Sequence, residues 1–273
     1  MTTPIISTAG LADLLPQDPL VLDCRFDLFE PEQGHRQYRE GHIPGAHYLH
    51  LNDDLSGEIV PGQTGRHPLP ERQAFANKMS ALGLTPDRPV VAYDDKGGGI
   101  AARAWWLLRW IGHERVAVLD GGYSTWLTED RPVTSKPEEA KPAPPYPVAV
   151  IDQGSTCDRA RVETLRNDDR YVLVDARTAD RYRGENENID PVAGHIEGAI
   201  NLPWTDNLEN GRFKSREALR QRFAVLKKEP RQNVFYCGSG VTACHNILAY
   251  YYALGELPAL YPGSWSEYLI DLE

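Results

Sequence analysis

Asn233-Val234-Phe235-Tyr236-Cys237-Gly238-Ser239-Gly240-Val241-Thr242 begins as an apolar, strand-like run, stops at a cysteine, and passes through a glycine-punctuated loop into a helix-like stretch. Strand, loop and helix in that order are the unit of an α/β sheet, where chemistry gathers at the carboxyl ends of the strands. The glycines let consecutive backbone N–H groups turn inward, and the helix entered near Thr242 adds the positive end of its dipole. An anion at Cys237 is stabilised there, so this cysteine reads as a reactive thiolate rather than a packing residue.

The first half of the chain repeats the arrangement without the thiol. Val90-Val91-Ala92-Tyr93 leads into Asp94-Asp95-Lys96-Gly97-Gly98-Gly99 and then a helix-like stretch carrying Trp105, Trp106 and Trp110. Asp94 stands where Cys237 stands, and a carboxylate can accept the same N–H groups. Val21-Leu22-Asp23-Cys24-Arg25 pairs with Leu173-Val174-Asp175-Ala176-Arg177, and Gly41-His42-Ile43-Pro44-Gly45-Ala46 with Gly194-His195-Ile196-Glu197-Gly198-Ala199. Leu119-Asp120-Gly121-Gly122-Tyr123 answers Tyr261-Pro262-Gly263-Ser264-Trp265. One half looks catalytic and the other looks like its retired copy.

Each half alternates short β-like runs with helix-like stretches such as residues 71–82 and 216–226, which predicts an α/β fold with two mostly parallel sheets flanked by helices. Pro132, Pro137, Pro142, Pro144, Pro145 and Pro147 crowd the stretch between the halves and favour extended backbone. The expected division is a first domain over 1–133, a linker over 134–147 and a second domain over 148–273.

A chain of 273 residues, 41% hydrophobic, supports two cores. A formal charge of −10 with no basic run argues against a nucleic-acid partner. The N-terminus lacks a charged and then apolar leader, and no segment reaches a membrane span, so a cytoplasmic setting and no membrane partner are expected. Four cysteines, Cys24, Cys157, Cys237 and Cys244, are too scattered for a disulfide framework or a zinc site, and the histidines show no metal-ligand spacing. Cys244 is expected about two turns into the helix after the loop, as a packing residue, and Cys24 is expected buried at a strand end.

Asp-x-Arg after an apolar strand, Gly-His-Ile-x-Gly-Ala, and Cys-Gly-Ser-Gly-Val-Thr together resemble the tandem rhodanese-domain sulfurtransferases. The loop is most similar to that of the 3-mercaptopyruvate sulfurtransferases, since thiosulfate-preferring members usually carry cations just after the cysteine. The resemblance implies two rhodanese-like domains, the first non-catalytic with Asp94 in the cysteine position and the second catalytic through Cys237. It implies no cofactor and no metal. Sulfur would pass from a small-molecule donor to Cys237 as a persulfide, then to a thiol such as thioredoxin or glutathione, or to cyanide. Thr242 and the amides of Gly238, Gly240 and Val241 would hold the outer sulfur, and Ser239 would protonate the departing pyruvate enolate.

Arg181 and Arg183 have no counterpart in the first half. In the family an arginine at the Arg181 position binds the substrate carboxylate, a task that suits a bidentate guanidinium. A second family arginine normally precedes the His-Ile element, where this chain has Glu185, Asn186, Glu187, Asn188, Ile189 and Asp190, leaving Arg183 as the candidate. The acid and histidine of the family's proton relay fall near Asn52, with Asp53 and Asp54 following, and at His67. First-half loops are expected to close over Cys237. The pairs Asp23–Arg25 and Asp175–Arg177, and His42 and His195, recur in both halves and read as structural.

Thiosulfate as the donor, and a non-enzymatic persulfide carrier or redox module, stay open as alternatives. A Cys-x5-Arg phosphatase or arsenate reductase does not fit, because the residue six after Cys237 is Ala243.

Overall fold

The computed structural model describes residues 3–148, 154–166, 168, 170–226 and 232–271. The chain divides into two units, one of residues 1–57 with 69–151, the other of residues 58–68 with 152–273. This differs from the expected contiguous split at 133 and 148: a short segment of the first half groups with the second.

In the first unit, β1 (Ile5–Ile6), β2 (Leu20–Asp23), β3 (Ala46–Tyr48), β4 (Val90–Tyr93) and β5 (Val116–Leu119) form one parallel sheet in the order β1-β5-β4-β2-β3. Every residue of β2, β4 and β5 is buried, as a parallel sheet covered on both faces requires. The predicted helix near residue 71 runs over Arg72–Ala81, with the Glu71 carboxylate accepting from the N–H groups of Gln73 and Ala74. Trp105 and Trp106 are buried in the helix Ala101–Trp110, as core residues.

In the second unit, β6 (Tyr171–Asp175), β7 (Ile200–Asn201), β10 (Gln232–Tyr236) and β11 (Ala259–Leu260) form a parallel sheet in the order β11-β10-β6-β7. A small antiparallel hairpin, β8 (Leu208–Glu209) with β9 (Arg212–Phe213), stands apart from it. Leu173, Val234, Tyr236 and Trp265 pack in the core of this unit. The helix Arg216–Arg222 continues as a 3-10 turn over Phe223–Leu226. Ala243–Leu254 is the helix after β10, so Cys244 lies in its first turn rather than two turns in. Its thiol is buried against the Gly240 carbonyl at 3.3 Å.

The duplicated motifs make duplicated bonds. Arg25 forks onto Asp23 and donates to the Gly41 carbonyl at 2.7 Å; Arg177 forks onto Asp175 and donates to the Gly194 carbonyl at 2.7 Å. His42 Nδ1 lies 2.7 Å from the Tyr38 carbonyl and His195 Nδ1 2.7 Å from that of Tyr182, each ring stacked on its tyrosine. These groups tie the loop after one strand to the Gly-His-Ile turn, whether or not a cysteine is present.

The proline-rich stretch is extended but not loose. Thr134 and His42 exchange backbone hydrogen bonds, Ala143 N–H donates to the Ser80 carbonyl at 2.8 Å, and Tyr146 is buried with its N–H on Ser80 Oγ at 2.9 Å. Prolines supply no N–H, and the residues between them supply those that anchor the stretch to the first unit.

Candidate active site

β10 ends at Tyr236, opposite Asp175 of β6, and Cys237 follows at the carboxyl edge of the sheet, almost fully buried. Its backbone is clamped by the loop after β11. Cys237 N–H donates to Ser264 Oγ at 3.1 Å, Trp265 N–H donates to the Cys237 carbonyl at 3.0 Å, and Ser266 N–H to the Gly238 carbonyl at 2.9 Å. Ser264 holds a left-handed φ of 55°, which costs a non-glycine residue about 1–2 kcal/mol. Its hydroxyl offsets that by donating to the Tyr261 carbonyl while accepting from Cys237. Gly240, at φ +75°, has no alternative: a side-chain carbon there would lie 2.3 Å from the Pro262 carbonyl oxygen.

Among the described residues, the N–H groups of Gly238, Ser239, Val241 and Thr242 make no hydrogen bond with the protein. The first unit shows what such a loop does with an anion. Asp94 accepts from the N–H groups of Lys96 at 2.9 Å, Gly98 at 2.8 Å, Ile100 at 2.8 Å and Ala101 at 2.9 Å. The equivalent loop at Cys237 leaves its donors unengaged by the protein among the described residues. Other cysteines are unsuited: burial, helped by Asp158, pushes the Cys157 thiol up to about 11, and burial followed by Asp23, Asp94 and Asp54 pushes Cys24 up as well.

His67 Nδ1 lies 2.7 Å from Ser239 Oγ, both groups buried. The structure therefore brings together these two predicted residues beside Cys237. Asn52 is exposed in the first unit, where Asp53 pairs with His50 Nδ1 at 3.1 Å and Asp54 pairs with Lys78. Arg183 is not in the site: it pairs with Glu185 at 2.7 Å, both more than half exposed.

Arg181 does reach the loop, with its Nη2 and Nη1 3.5 and 3.6 Å from where a Gly238 side-chain carbon would sit. Arg66, which the sequence did not single out, comes closer still, with Nη2 at 3.0 Å from that point. Asp190 joins them, accepting from Arg66 Nη1 through Oδ1 and from Arg181 Nη2 at 2.9 Å through Oδ2. Glu187 takes Arg181 in a fork at 2.9 and 3.0 Å and Arg177 at 3.4 Å. The loop is thus neutral in sequence yet lies under two guanidinium groups. The only signal for Arg66 was its place next to His67.

Burial pulls the Glu187 carboxyl upward, but the N–H groups of Asp190 and Ile189 and the Arg181 guanidinium outweigh it and hold the group below the ordinary glutamate range. A carboxyl lowered in the folded state contributes stability that is full above about pH 4.3 and is lost as pH falls through the lowered value. Glu187→Gln should destabilise the protein by about 3 kcal/mol at pH 7, because it leaves the buried Arg177 and the partly buried Arg181 each short of a partner. Urea unfolding should show a lowered midpoint at unchanged slope, and the variant should lose less of its remaining stability than wild type between pH 5 and pH 3. An unchanged midpoint would rule out this account of the cluster.

Comparison with known proteins agrees with this geometry. The rhodanese-like domain model matches twice, over residues 7–129 and 158–271. A probable 3-mercaptopyruvate sulfurtransferase of Pseudomonas aeruginosa is 47% identical over 264 residues, covering 95% of this chain and 92% of that protein. The thiosulfate sulfurtransferase of Cricetulus griseus is 35% identical, covering 97% of this chain and 91% of that one. The solved structure of the 3-mercaptopyruvate sulfurtransferase from Leishmania major superposes with a TM-score of 0.86 at 32% identity, covering 98% of this chain and 74% of that chain. Two matched copies of the domain, with Cys237 at the strand end of the second and Asp94 in its place in the first, make this chain a member of the rhodanese-like sulfurtransferase family.

Proposed function

We propose that the chain moves sulfur from 3-mercaptopyruvate to a thiol through a persulfide on Cys237. The observation that carries this reading is the His67–Ser239 pair at 2.7 Å beside a cysteine whose loop amides are unengaged. In the first step the Cys237 thiolate attacks the donor sulfur. A sulfur–sulfur bond forms, the donor carbon–sulfur bond breaks, and its electron pair stays on carbon as the pyruvate enolate. The enolate needs one proton to become pyruvate. Ser239 gives its hydroxyl proton and recovers one from Nδ1 of a protonated His67. The free amides of Gly238, Val241 and Thr242 stabilise the persulfide anion. An acceptor thiolate, of thioredoxin or glutathione, then takes the outer sulfur and regenerates the Cys237 thiolate. A cytoplasmic setting suits a chemistry that needs its cysteine reduced. Among the described residues, no helix is long and apolar enough to cross a membrane.

Thiosulfate transfer is the second reading, favoured by the two guanidinium groups over Gly238. Its leaving group, sulfite, needs no proton, so it gives the Ser239–His67 pair nothing to do. Steady-state kinetics with both donors, using cyanide and a dithiol as acceptors, separates them. The value of kcat/KM for mercaptopyruvate should exceed that for thiosulfate by at least about tenfold. A higher value for thiosulfate reverses the assignment.

A further inference from the structure

Two guanidinium groups converge on Gly238, yet their bonding differs. Arg181 is anchored through Nε and Nη2 to Glu187 and Asp190. Arg66 has one side-chain bond, from Nη1 to Asp190, and its backbone N–H is fixed to Ser266 Oγ at 3.1 Å. Its Nε is buried without a hydrogen-bond partner, and its Nη2 points at the space above the Gly238 Cα. Among the described residues only Nη1 has a protein partner, so most of the five N–H donors of this side chain are unengaged, Nε of them in a buried position.

Asp190 spaces the two cations: its side chain is 1% exposed and offers one oxygen to each guanidinium, while Glu187 forks onto Arg181. The cluster is charge-balanced, so an incoming anion is drawn by the unengaged N–H donors of Arg66 rather than by surplus charge. The guanidiniums are reachable, with the Arg66 side chain 28% and the Arg181 side chain 16% exposed. The distances also suit a small donor. Adjacent Cα atoms stand about 3.8 Å apart, comparable with the reach from the sulfur to the carboxylate of a three-carbon acid. A carboxylate over Gly238 is therefore compatible with a donor sulfur near the adjacent Cys237.

We infer that Arg66 is a donor-binding residue, which together with Arg181 grips the carboxylate of the sulfur donor over Gly238, with Asp190 setting the spacing of the two guanidiniums. The inference rests on the reading of the donor as 3-mercaptopyruvate; a side-chain carbon on residue 238 would crowd Arg66 Nη2 at 3.0 Å and lie in ordinary contact with Arg181. A role confined to holding the 58–68 segment would act differently, by moving His67 away from Ser239 and slowing proton transfer.

The test compares wild type, Arg66→Ala, Arg66→Lys and Arg181→Ala in two measurements. One is kcat and KM for mercaptopyruvate. The other is protection of Cys237 from iodoacetamide by pyruvate, which has the same carboxylate and no sulfur to give. Arg66→Ala should raise KM about tenfold or more with kcat within about threefold, and should weaken pyruvate protection by the same factor. Arg66→Lys, which keeps the charge and the tie to Asp190 but loses the planar fork, should fall between and covers the case where the alanine variant is unstable. Unchanged KM in both Arg66 variants, or a fallen kcat with pyruvate protection intact, overturns the inference. Wild-type protein that is protected by pyruvate but does not turn over mercaptopyruvate would refute the donor reading alone, provided Arg66→Ala abolishes the protection.

Discussion

Cys237→Ser should abolish turnover, lowering kcat by at least about 10³-fold with either donor, while far-UV circular dichroism and the urea midpoint stay close to wild type. The backbone of residue 237 is held through its N–H and carbonyl by Ser264 and Trp265, and neither bond involves the sulfur. The fold thus has little reason to notice the exchange of one small side chain for another. The chemistry has every reason, since a hydroxyl is neither ionised near neutral pH nor able to form a persulfide. Intact-mass measurement after treatment with donor should find one added sulfur atom on the wild type and none on the variant. Cys244 is the neighbour to check, and its buried thiol against the Gly240 carbonyl argues that it stays unmodified. Sulfur mapped to Cys244, or a residual rate within tenfold of wild type, would remove Cys237 from the centre of the mechanism.

Ser239→Ala should lower kcat for mercaptopyruvate by about 10²-fold, the lower end of what a positioned proton donor supplies, with KM little changed. The same variant should keep thiosulfate turnover within about threefold, because sulfite departs as a stable anion. His67→Ala should follow the same pattern more mildly, at roughly ten- to thirtyfold, since Ser239 retains its own hydroxyl proton. The contrast between donors is the diagnostic part. A packing defect in the loop would slow both reactions, so an equal loss with both donors would show that Ser239 shapes the cradle rather than protonating the enolate.

Much of this was legible in the chain because duplication supplies its own control. Any feature shared by both halves, such as Asp23–Arg25 with Asp175–Arg177 or His42 with His195, belongs to the fold, and the structure gives each pair the same bonds. Features present once, such as Cys237, Ser239 and Arg181, are the candidates for the site. The method fails for residues whose partners are remote. Arg66 lies 124 positions from Asp190, and nothing local says that a cation in one half answers an anion in the other. Glu187 and Asp190 were legible only as a missing arginine, when they are the carboxylates that hold the arginines present. Arg183 looked equivalent to Arg181 because spacing along a short turn does not say which side chain faces inward; the turn of Ala179–Tyr182 points one at Glu187 and leaves the other to pair with Glu185. The proline-rich stretch shows a related limit, as composition reports backbone preference and not what the few intervening N–H groups meet.

The 58–68 segment also sets the order in which the protein can come alive during synthesis. His67 is made 172 residues before Ser239, and Arg66 200 residues before Ser266, so at ribosomal speeds of about 5–20 residues per second this segment waits roughly 10–40 s for its partners. Arg66 first waits 124 residues for Asp190, and the loop after β11 follows later still. The nascent chain can settle its first sheet early, since all five of those strands lie ahead of residue 120, while the reacting centre stays open until translation has passed Ser266. On the mechanism proposed above, Cys237 thus meets its proton supply and its cations only in the last moments of assembly, and a chain interrupted before then is left without the equipment to start the reaction.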